Sequence, residues 1–483
     1  MKQKLIFEKG TISQSTNYIP KPSIPIYPPK NFIDKEFLRD ELNLPSLGEL
    51  EVIRHYTNLA TLNFSVDANF YPLGSCTMKY NPKINEELAN FENFLNLHPY
   101  QKEKYFQGAL ELIYNLEKLL CEITGMARFS FQASSGAQGE LIGMLIIKKY
   151  HQMKGNKKTK VIIPDSSHGT NPATSAMCGY QTLVVESTPD GLIDLERLKN
   201  LLDKEVAAIM LTNPNTLGIF EENILKIAEM VHKVGGLLYY DGANFNPLLG
   251  ITTPALMGFD LIHLNLHKTF SAPHGCGGPG AGAVGVRKEL VDFLPVPIVD
   301  KKRNNFYFNY NLKHSIGKVR SFYGNFIVLI KAYAYILRLG RNGLLRVAQN
   351  SILNANYLKE KLKNHFIIAS PKPCMHEVVI SCIKQKEKGI TALDIAKRLI
   401  DYGIHPPTMY FPLIVKEALM IEPTETENKA TLDNFIEVML KILKEIEENP
   451  ENFKNTPLNA PVKRVDEVRA ARYLDLRWYP PNK

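Results

Sequence analysis

The sequence has one tryptophan, Trp478, and six cysteines among its 483 residues. The cysteines stand at 76, 121, 178, 276, 374 and 382, and no two form a C-x-x-C pair. That pattern excludes a disulfide scaffold and a zinc ribbon, and it fits a reducing cytoplasm. No apolar run reaches the roughly 18 residues of a membrane span. The longest attempt, "FIVLIKAYAYIL", is broken by Lys331. The opening "MKQKLIFEKG" lacks the apolar core of a signal peptide, so a cytoplasmic protein with no membrane partner is expected. Strong charge of one sign is also missing. The net charge of +9 is scattered, and "KGNKKTK" at residues 154–160 reads as a solvated loop rather than a nucleic-acid patch. There is no internal repeat and no low-complexity tract.

What is present is ordinary soluble composition, 45% hydrophobic and 22% charged, over a length that suggests two or more domains. Residues 1–95 are irregular. Pro20, Pro22, Pro25, Pro28 and Pro29 favour an extended arm, and "SLGELEVIRHYTNLATLN" predicts a helix capped by Ser46. From about residue 100 to 290, helical stretches such as "GELIGMLIIKKYHQMKG" alternate with short apolar runs: "FSFQ", "KVIIP", "QTLVVES", "AAIMLTN", "GLLYYD", "DLIHLN" and "GAVGV". This alternation predicts an α/β fold, a mostly parallel central sheet flanked by helices. Residues 96–335 form the expected large domain. "HEVVISCI", "ALDIAKRLI" and "FIEVMLKILKEIEEN" predict a smaller C-terminal α+β domain over 336–450, and 451–483 form a tail.

In such sheets ligands bind beyond the carboxyl ends of the strands. Lys268 follows "DLIHLNL" directly, so it is placed where a partly desolvated amine becomes a nucleophile. The alternative is a strand-exit lysine that reaches water. Asp241 ends "GGLLYYD", 27 residues earlier. A lysine able to form a Schiff base and a carboxylate at a nearby strand end are what pyridoxal 5'-phosphate needs, the acid to keep the pyridine nitrogen protonated. "FSFQASSGAQGELIGMLI" reads as strand, small-residue turn and helix. Ser134, Ser135, Gly136, Ala137 and Gln138 would offer hydroxyls and backbone N–H groups to a phosphate there, with His267 as a further donor. His168, in "PDSSHGTNPATSAM", is a candidate for stacking on the ring. Thr212, Asn215 and Thr216 in "TNPNTLGIFE" are candidates for the ring hydroxyl or the substrate.

Two rival motifs fail on context. "GCGGPG" matches a dinucleotide fingerprint literally, but Pro279 and "AGAVGV" lead into another strand rather than a helix. His263, His267, His274 and Cys276 suggest a metal cluster, yet four residues along a strand separate the first two by about 13 Å at roughly 3.3 Å per residue. No metal is expected. Cys374 and His376 make too small a set to be a site by themselves.

The stretches "NFYPLGSCTMKYNPK", "HPYQ", "SSGAQGE", "PDSSHGTNPATSAMCGY", "TNPNTLGIFE", "YYDGANFN", "HLNLHKTFSAPHGCGGPGAG", "SIGKVRSFYGNF", "GIHPPTMYFPL", "MIEPTETE" and "RVDEVRAARYLDLRW" span nearly the whole chain. With them the sequence resembles the pyridoxal-phosphate glycine decarboxylases of the glycine cleavage system, the P-proteins. It is most similar to the second subunit of the two-subunit form. Single-chain members are about twice as long, and this chain resembles their carboxyl half. The resemblance implies fold type I, a separate subunit 1 and an assembly with two copies of each chain. It marks Lys268 as the Schiff-base lysine and puts Asp241 and His168 at the positions of the pyridinium partner and the ring stacker. It also implies the reaction: decarboxylation of glycine, release of CO2, and transfer of the aminomethyl group to the lipoyl group of an H-protein. Candidates for the glycine carboxylate are Asn244, His274 and Arg320. Cys276 departs from the family's run, where glycine is expected. Two other readings stand beside this one. The first is another fold type I enzyme, such as an amino acid decarboxylase or a cysteine desulfurase. The second is a non-catalytic scaffold subunit, against which the intact Lys268 and Asp241 argue.

Overall fold

The seven apolar runs become the seven strands of one sheet in the computed structural model, which describes residues 4–9, 20–39, 44–274 and 280–479. They are β1 (Arg128–Ser130), β2 (Lys160–Pro164), β3 (Gln181–Val185), β4 (Val206–Thr212), β5 (Leu237–Gly242), β6 (Leu261–Asn265) and β7 (Gly282–Val286). Their spatial order is β1-β7-β6-β5-β4-β2-β3. The pairings from β3 through β6 are parallel; β7 pairs antiparallel with both β6 and β1. The sheet is thus mostly parallel, with a reversed edge. Every residue of β4, β5 and β6 is buried, as expected of parallel strands covered on both faces.

One face packs on the helices Gln107–Thr124 and Ile224–Lys233 and the first part of Phe326–Leu362. The other packs on the helix Gly136–Met153. That helix can lie close to the sheet because it lacks side chains where it touches. A Cβ on Gly143 would overlap the Tyr239 ring, and one on Gly136 would overlap the Asn265 side chain. The first turn of the helix is therefore seated against the carboxyl end of β6.

After a two-stranded ribbon, β8 (Ile298–Lys302) with β9 (Asn305–Asn309), the helix Phe326–Leu362 is interrupted at Gly340, where φ is 57° and ψ −173°. A second, antiparallel sheet follows, in the order β10 (Ile367–Ile368), β11 (Val378–Ser381), β13 (Ala418–Ile421) and β12 (Thr408–Met409). The amphipathic helices Ala392–Asp401 and Lys429–Glu448 cover it, burying Ile395, Leu399, Phe435, Met439 and Ile442.

By its internal contacts the chain divides into residues 66–454 and a second set, 1–65 with 455–483. In the second set Phe7 stacks on Trp478, with ring centroids 5.2 Å apart, and Ile24, Ile26, Tyr27 and Phe32 are exposed. The expected helix near residue 50 runs Glu49–Ala60 and its N-cap is Gly48, not Ser46. Glu51 accepts from the Gly48 N–H at 3.3 Å, the N3-acid half of a capping box, and no side chain caps the first-turn N–H groups. Among the described residues no helix is long and apolar enough to cross a membrane.

Candidate active site

In-register parallel pairing fixes the centre of the site. Thr212 on β4 lies beside Asp241 on β5, and Asp241 beside His263 on β6. Past the end of β6 the chain turns tightly, with the Lys268 N–H donating to the Asn265 carbonyl at 3.0 Å. This brings the lysine back over the strand ends. A cleft of about 170 Å³ opens here, and its wall includes Lys268, Asp241, His168, Thr212, Thr216, Asn244 and His267 together with Gly136 and Ala137.

Asp241 is 2% exposed. Burial alone would raise its pKa. The adjoining His263 ring at 3.2 Å, the Ala243 N–H at 3.0 Å and the Asn171 amide at 3.1 Å outweigh burial and hold it below the ordinary value. Its buried neighbour Glu140 goes the other way. Burial and the charge on Asp241 push it up to about 8, against hydrogen bonds from Thr170 and Asn171. Burial thus favours the protonated form of Glu140, while the contacts of Asp241 favour its ionised form.

A prediction follows from the sign of that shift. The native state binds a proton on Glu140 that the unfolded chain releases at about 4.5. The stability from this group is full below 4.5 and is lost as pH rises to about 8. Glu140→Gln mimics the protonated form, with its oxygen toward Asn171 and its NH2 toward the Thr170 hydroxyl. Thermal melts of cofactor-free protein from pH 5 to 8 should fall less steeply for this variant than for the parent. Parallel curves would disprove the assignment.

The helix Gly136–Met153 brings its N-terminus to the cleft. Ser135 is its N-cap and accepts from the Gln138 N–H at 3.2 Å, and Gln138 Oε1 accepts from the Ser134 N–H at 2.6 Å. The serine and glutamine side chains are thus spent on shaping the turn. The N–H groups of Gly136 and Ala137 have no acceptor among the described residues, and both residues line the cleft. His267 is held neutral, down to about 3, by burial and by His274 and Lys268. Its Nδ1 lies 3.2 Å from the Ala281 carbonyl oxygen.

The remaining candidates divide. His168 is exposed at the cleft and meets Phe411 edge-on, with centroids 5.5 Å apart. Thr216 is buried and donates to the Ser166 carbonyl. Asn244 is 1% exposed and donates to the Pro214 carbonyl at 3.1 Å and to Glu377 at 3.3 Å. Asn215 does not reach the cleft, because its amide closes the 215–219 turn and bonds to the Gly191 carbonyl. Arg320 donates to Asn325 at 3.0 Å, and Asn325 in turn donates to the Ser134 carbonyl at 3.2 Å. The arginine is therefore tied to the turn before the helix Gly136–Met153 and is not part of the cleft wall. His274 packs edge-on against His267 at 4.9 Å, behind the cleft wall. Cys276 lies outside the described residues.

Sequence reading passed over Glu140, Asn171, Asn265 and Ser75. Glu140 closes the quoted "SSGAQGE", one helical turn past the cap, and that spacing was the available signal. Ser75 reaches the site from nearly 200 residues away, and no local pattern announces it.

The donor set fits pyridoxal phosphate. It offers one primary amine, one buried carboxylate kept ionised, a helix start with free N–H groups, and an imidazole at the rim. The buried carbonyl oxygens Oδ1 of Asn171, Asn244 and Asn265 have no hydrogen-bond partner among the described residues. Asn244 and Asn265 line the cleft and leave polar capacity for a ligand.

Comparison with known proteins gives a consistent result. Residues 29–306 match the family model of the glycine cleavage system P-protein, and residues 347–464 match that of the glycine dehydrogenase C-terminal domain. The chain is 58% identical to a probable glycine dehydrogenase (decarboxylating) subunit 2 of Caldanaerobacter subterraneus subsp. tengcongensis, covering 98% of each. It is 54% identical to the protein of the same description from Thermotoga maritima, over 98% of this chain and 99% of that one. Among solved structures, an inhibitor-bound glycine decarboxylase (P-protein) of the glycine cleavage system superposes with a TM-score of 0.73 at 20% identity, covering 85% of this chain and 94% of that one. A cysteine desulfurase from Thermococcus onnurineus gives 0.62 at 15% identity, over 78% and 95%. At these identities the two structures speak to the fold alone, which is that of type I pyridoxal-phosphate enzymes.

Proposed function

The chain belongs to the glycine cleavage system P-protein family, and from that membership and the cleft we infer a pyridoxal-phosphate-dependent glycine decarboxylase that works as the second subunit of a two-subunit enzyme. The observation that carries the site assignment is the placing of Lys268 beside a buried, ionised Asp241 at neighbouring strand ends. Bound pyridoxal phosphate supplies an electron sink for the pair left behind when CO2 departs.

The residues of this chain do the rest. Lys268 would supply the amine that anchors the cofactor. Asp241 would accept a hydrogen bond from the protonated ring nitrogen and hold that proton by its charge. Gly136 and Ala137 would offer N–H groups to the phosphate, with the helix dipole behind them. His168, Thr212 and Thr216, which line the same cleft, would contact the cofactor there. For the substrate carboxylate, Asn244 is the candidate that lies in the cleft wall; Arg320 and His274 do not line it. Glycine loses CO2, and its aminomethyl carbon bonds to one sulfur of a lipoyl disulfide carried by an H-protein, whose S–S bond opens. The assembly contains two copies of each subunit.

Incubation of glycine with labelled bicarbonate tests the reading. Exchange of label into the glycine carboxyl should require the first subunit and be stimulated by lipoylated H-protein. Decarboxylation that ignores both additions would point instead to a free-standing fold type I decarboxylase.

A further inference from the structure

Lys268 is held from an unexpected side. Its Nζ donates to the Ser75 carbonyl at 2.7 Å. Ser75 has φ 64° and Thr77 φ 49°, left-handed backbone that a residue with a Cβ rarely adopts. Two carboxyl groups keep the loop in that shape. Glu377 Oε2 accepts from the Ser75 N–H and Glu422 Oε2 from the Thr77 N–H, each at 2.9 Å. The peptide that carries the Ser75 oxygen is thus bracketed by two peptides, each tied to an acid. Glu377 precedes β11 and Glu422 follows β13, and the pairing of Val378 with Ile421 sets the two side by side. Both are fully buried. Glu377 also accepts from Asn244 in the cleft wall, at 3.3 Å.

We infer that the Ser75 carbonyl, clamped by Glu377 and Glu422, is the seat on which the free amine of Lys268 rests whenever that lysine is not bonded to the cofactor. The inference rests on Lys268 being the anchor. The substrate amine must displace the lysine, and a displaced ammonium in a cleft needs an acceptor and a counter-charge. Left loose, it can lose its proton and act as a base beside the substrate α-carbon, where removing a proton competes with losing CO2. Seated on Ser75, it is withdrawn yet one side-chain swing from return. Glu377 and Glu422 act through the loop and are positioning residues. The groups that face them are each other, His376, Cys76, Glu425 and Lys268 itself. Burial and the neighbouring acid raise Glu377 well above the carboxylate range, burial pushes Glu422 up to about 7, and the charge of Lys268 opposes both shifts.

The test compares Glu377→Ala, Glu377→Gln and Glu422→Ala with the parent, each checked by circular dichroism. Borohydride reduction of the holoenzyme and peptide mapping first establish which lysine carries the cofactor; a lysine other than Lys268 overturns the site reading itself. Glycine is then removed rapidly, and the return of the visible band of lysine-bound cofactor is followed. Loss of one clamping hydrogen bond weakens the resting state and should speed that return roughly tenfold in Glu377→Ala. Glu377→Gln, whose amide oxygen still accepts from the Ser75 N–H, should stay near the parental rate. In cofactor-free protein, Lys268 should react faster with an acylating reagent at fixed pH in the alanine variants, because its ammonium form has lost support. Should Glu377→Ala not fold, Glu422→Ala reads the same rate from the other clamp. Parental rates and parental Lys268 reactivity in a folded alanine variant would overturn the seat. Slowing, or an equal change in Ala and Gln with unchanged reactivity, would overturn it too, since that marks a merely structural acid.

Discussion

Lys268→Ala is expected to fold, to lose the visible band of covalently held cofactor after dialysis, and to lose decarboxylation on the order of 10³-fold or more, the scale on which removal of a covalent catalyst is felt. The side chain is partly exposed and makes one described hydrogen bond, to Ser75, so its removal leaves no cavity in the core. The electrostatic cost is less simple. Lys268 is the cation that faces Asp241, Glu140, Glu377 and Glu422. Without it each of these acids becomes harder to ionise. Lys268→Arg separates the two contributions: it keeps the charge but offers no nucleophilic amine at neutral pH. Loss of the band in both variants, with the alanine variant alone showing a changed pH dependence of melting, assigns the anchor to the amine and the pH effect to the charge. A visible band that survives dialysis in Lys268→Ala would refute the assignment.

The parts of this site that were legible in the sequence share a physical cause. Strand ends are announced by apolar runs that stop, and in a parallel sheet they gather at one edge. Lys268, Asp241, His168, Thr212 and Thr216 were found that way, and the helix start at Gly136 by its small residues. What was illegible depended on side-chain direction or on distant chain. Asn215 has the right position, but its amide is consumed within its own turn. Arg320 was a reasonable carboxylate clamp by residue type, yet Asn325 holds it at the 134–135 turn. The loop at 75–77 and the acids Glu377 and Glu422 come together only because the small sheet packs where it does. The reversed β7 is a further case. "GAVGV" reads as a buried strand in either direction, and nothing in its own pattern says that it runs back beside β6.

Asp241→Asn should keep the cofactor and lose most of the rate. The exchange is close to isosteric, and the new amide oxygen can still accept from one of the donors that now bond Asp241, the Asn171 amide or the Ala243 N–H. What disappears is a full charge beside the ring nitrogen. Two unit charges about 4 Å apart at an effective dielectric constant near 20 interact by roughly 4 kcal/mol. At 1.36 kcal/mol per decade this is on the order of 10³ in rate. The loss should fall on kcat rather than KM, because the charge matters most where electrons move into the ring. Glu140 adds a check. Its raised pKa depends in part on the charge of Asp241, so in Asp241→Asn it should ionise at lower pH and restore a negative charge one hydrogen-bonding residue away, through Asn171. The double variant with Glu140→Gln removes that substitute. If proximity to the ring nitrogen is what counts, the double variant is little worse than Asp241→Asn alone. If any buried negative charge in the cleft will serve, the double variant falls much further, and the specific role given to Asp241 is wrong.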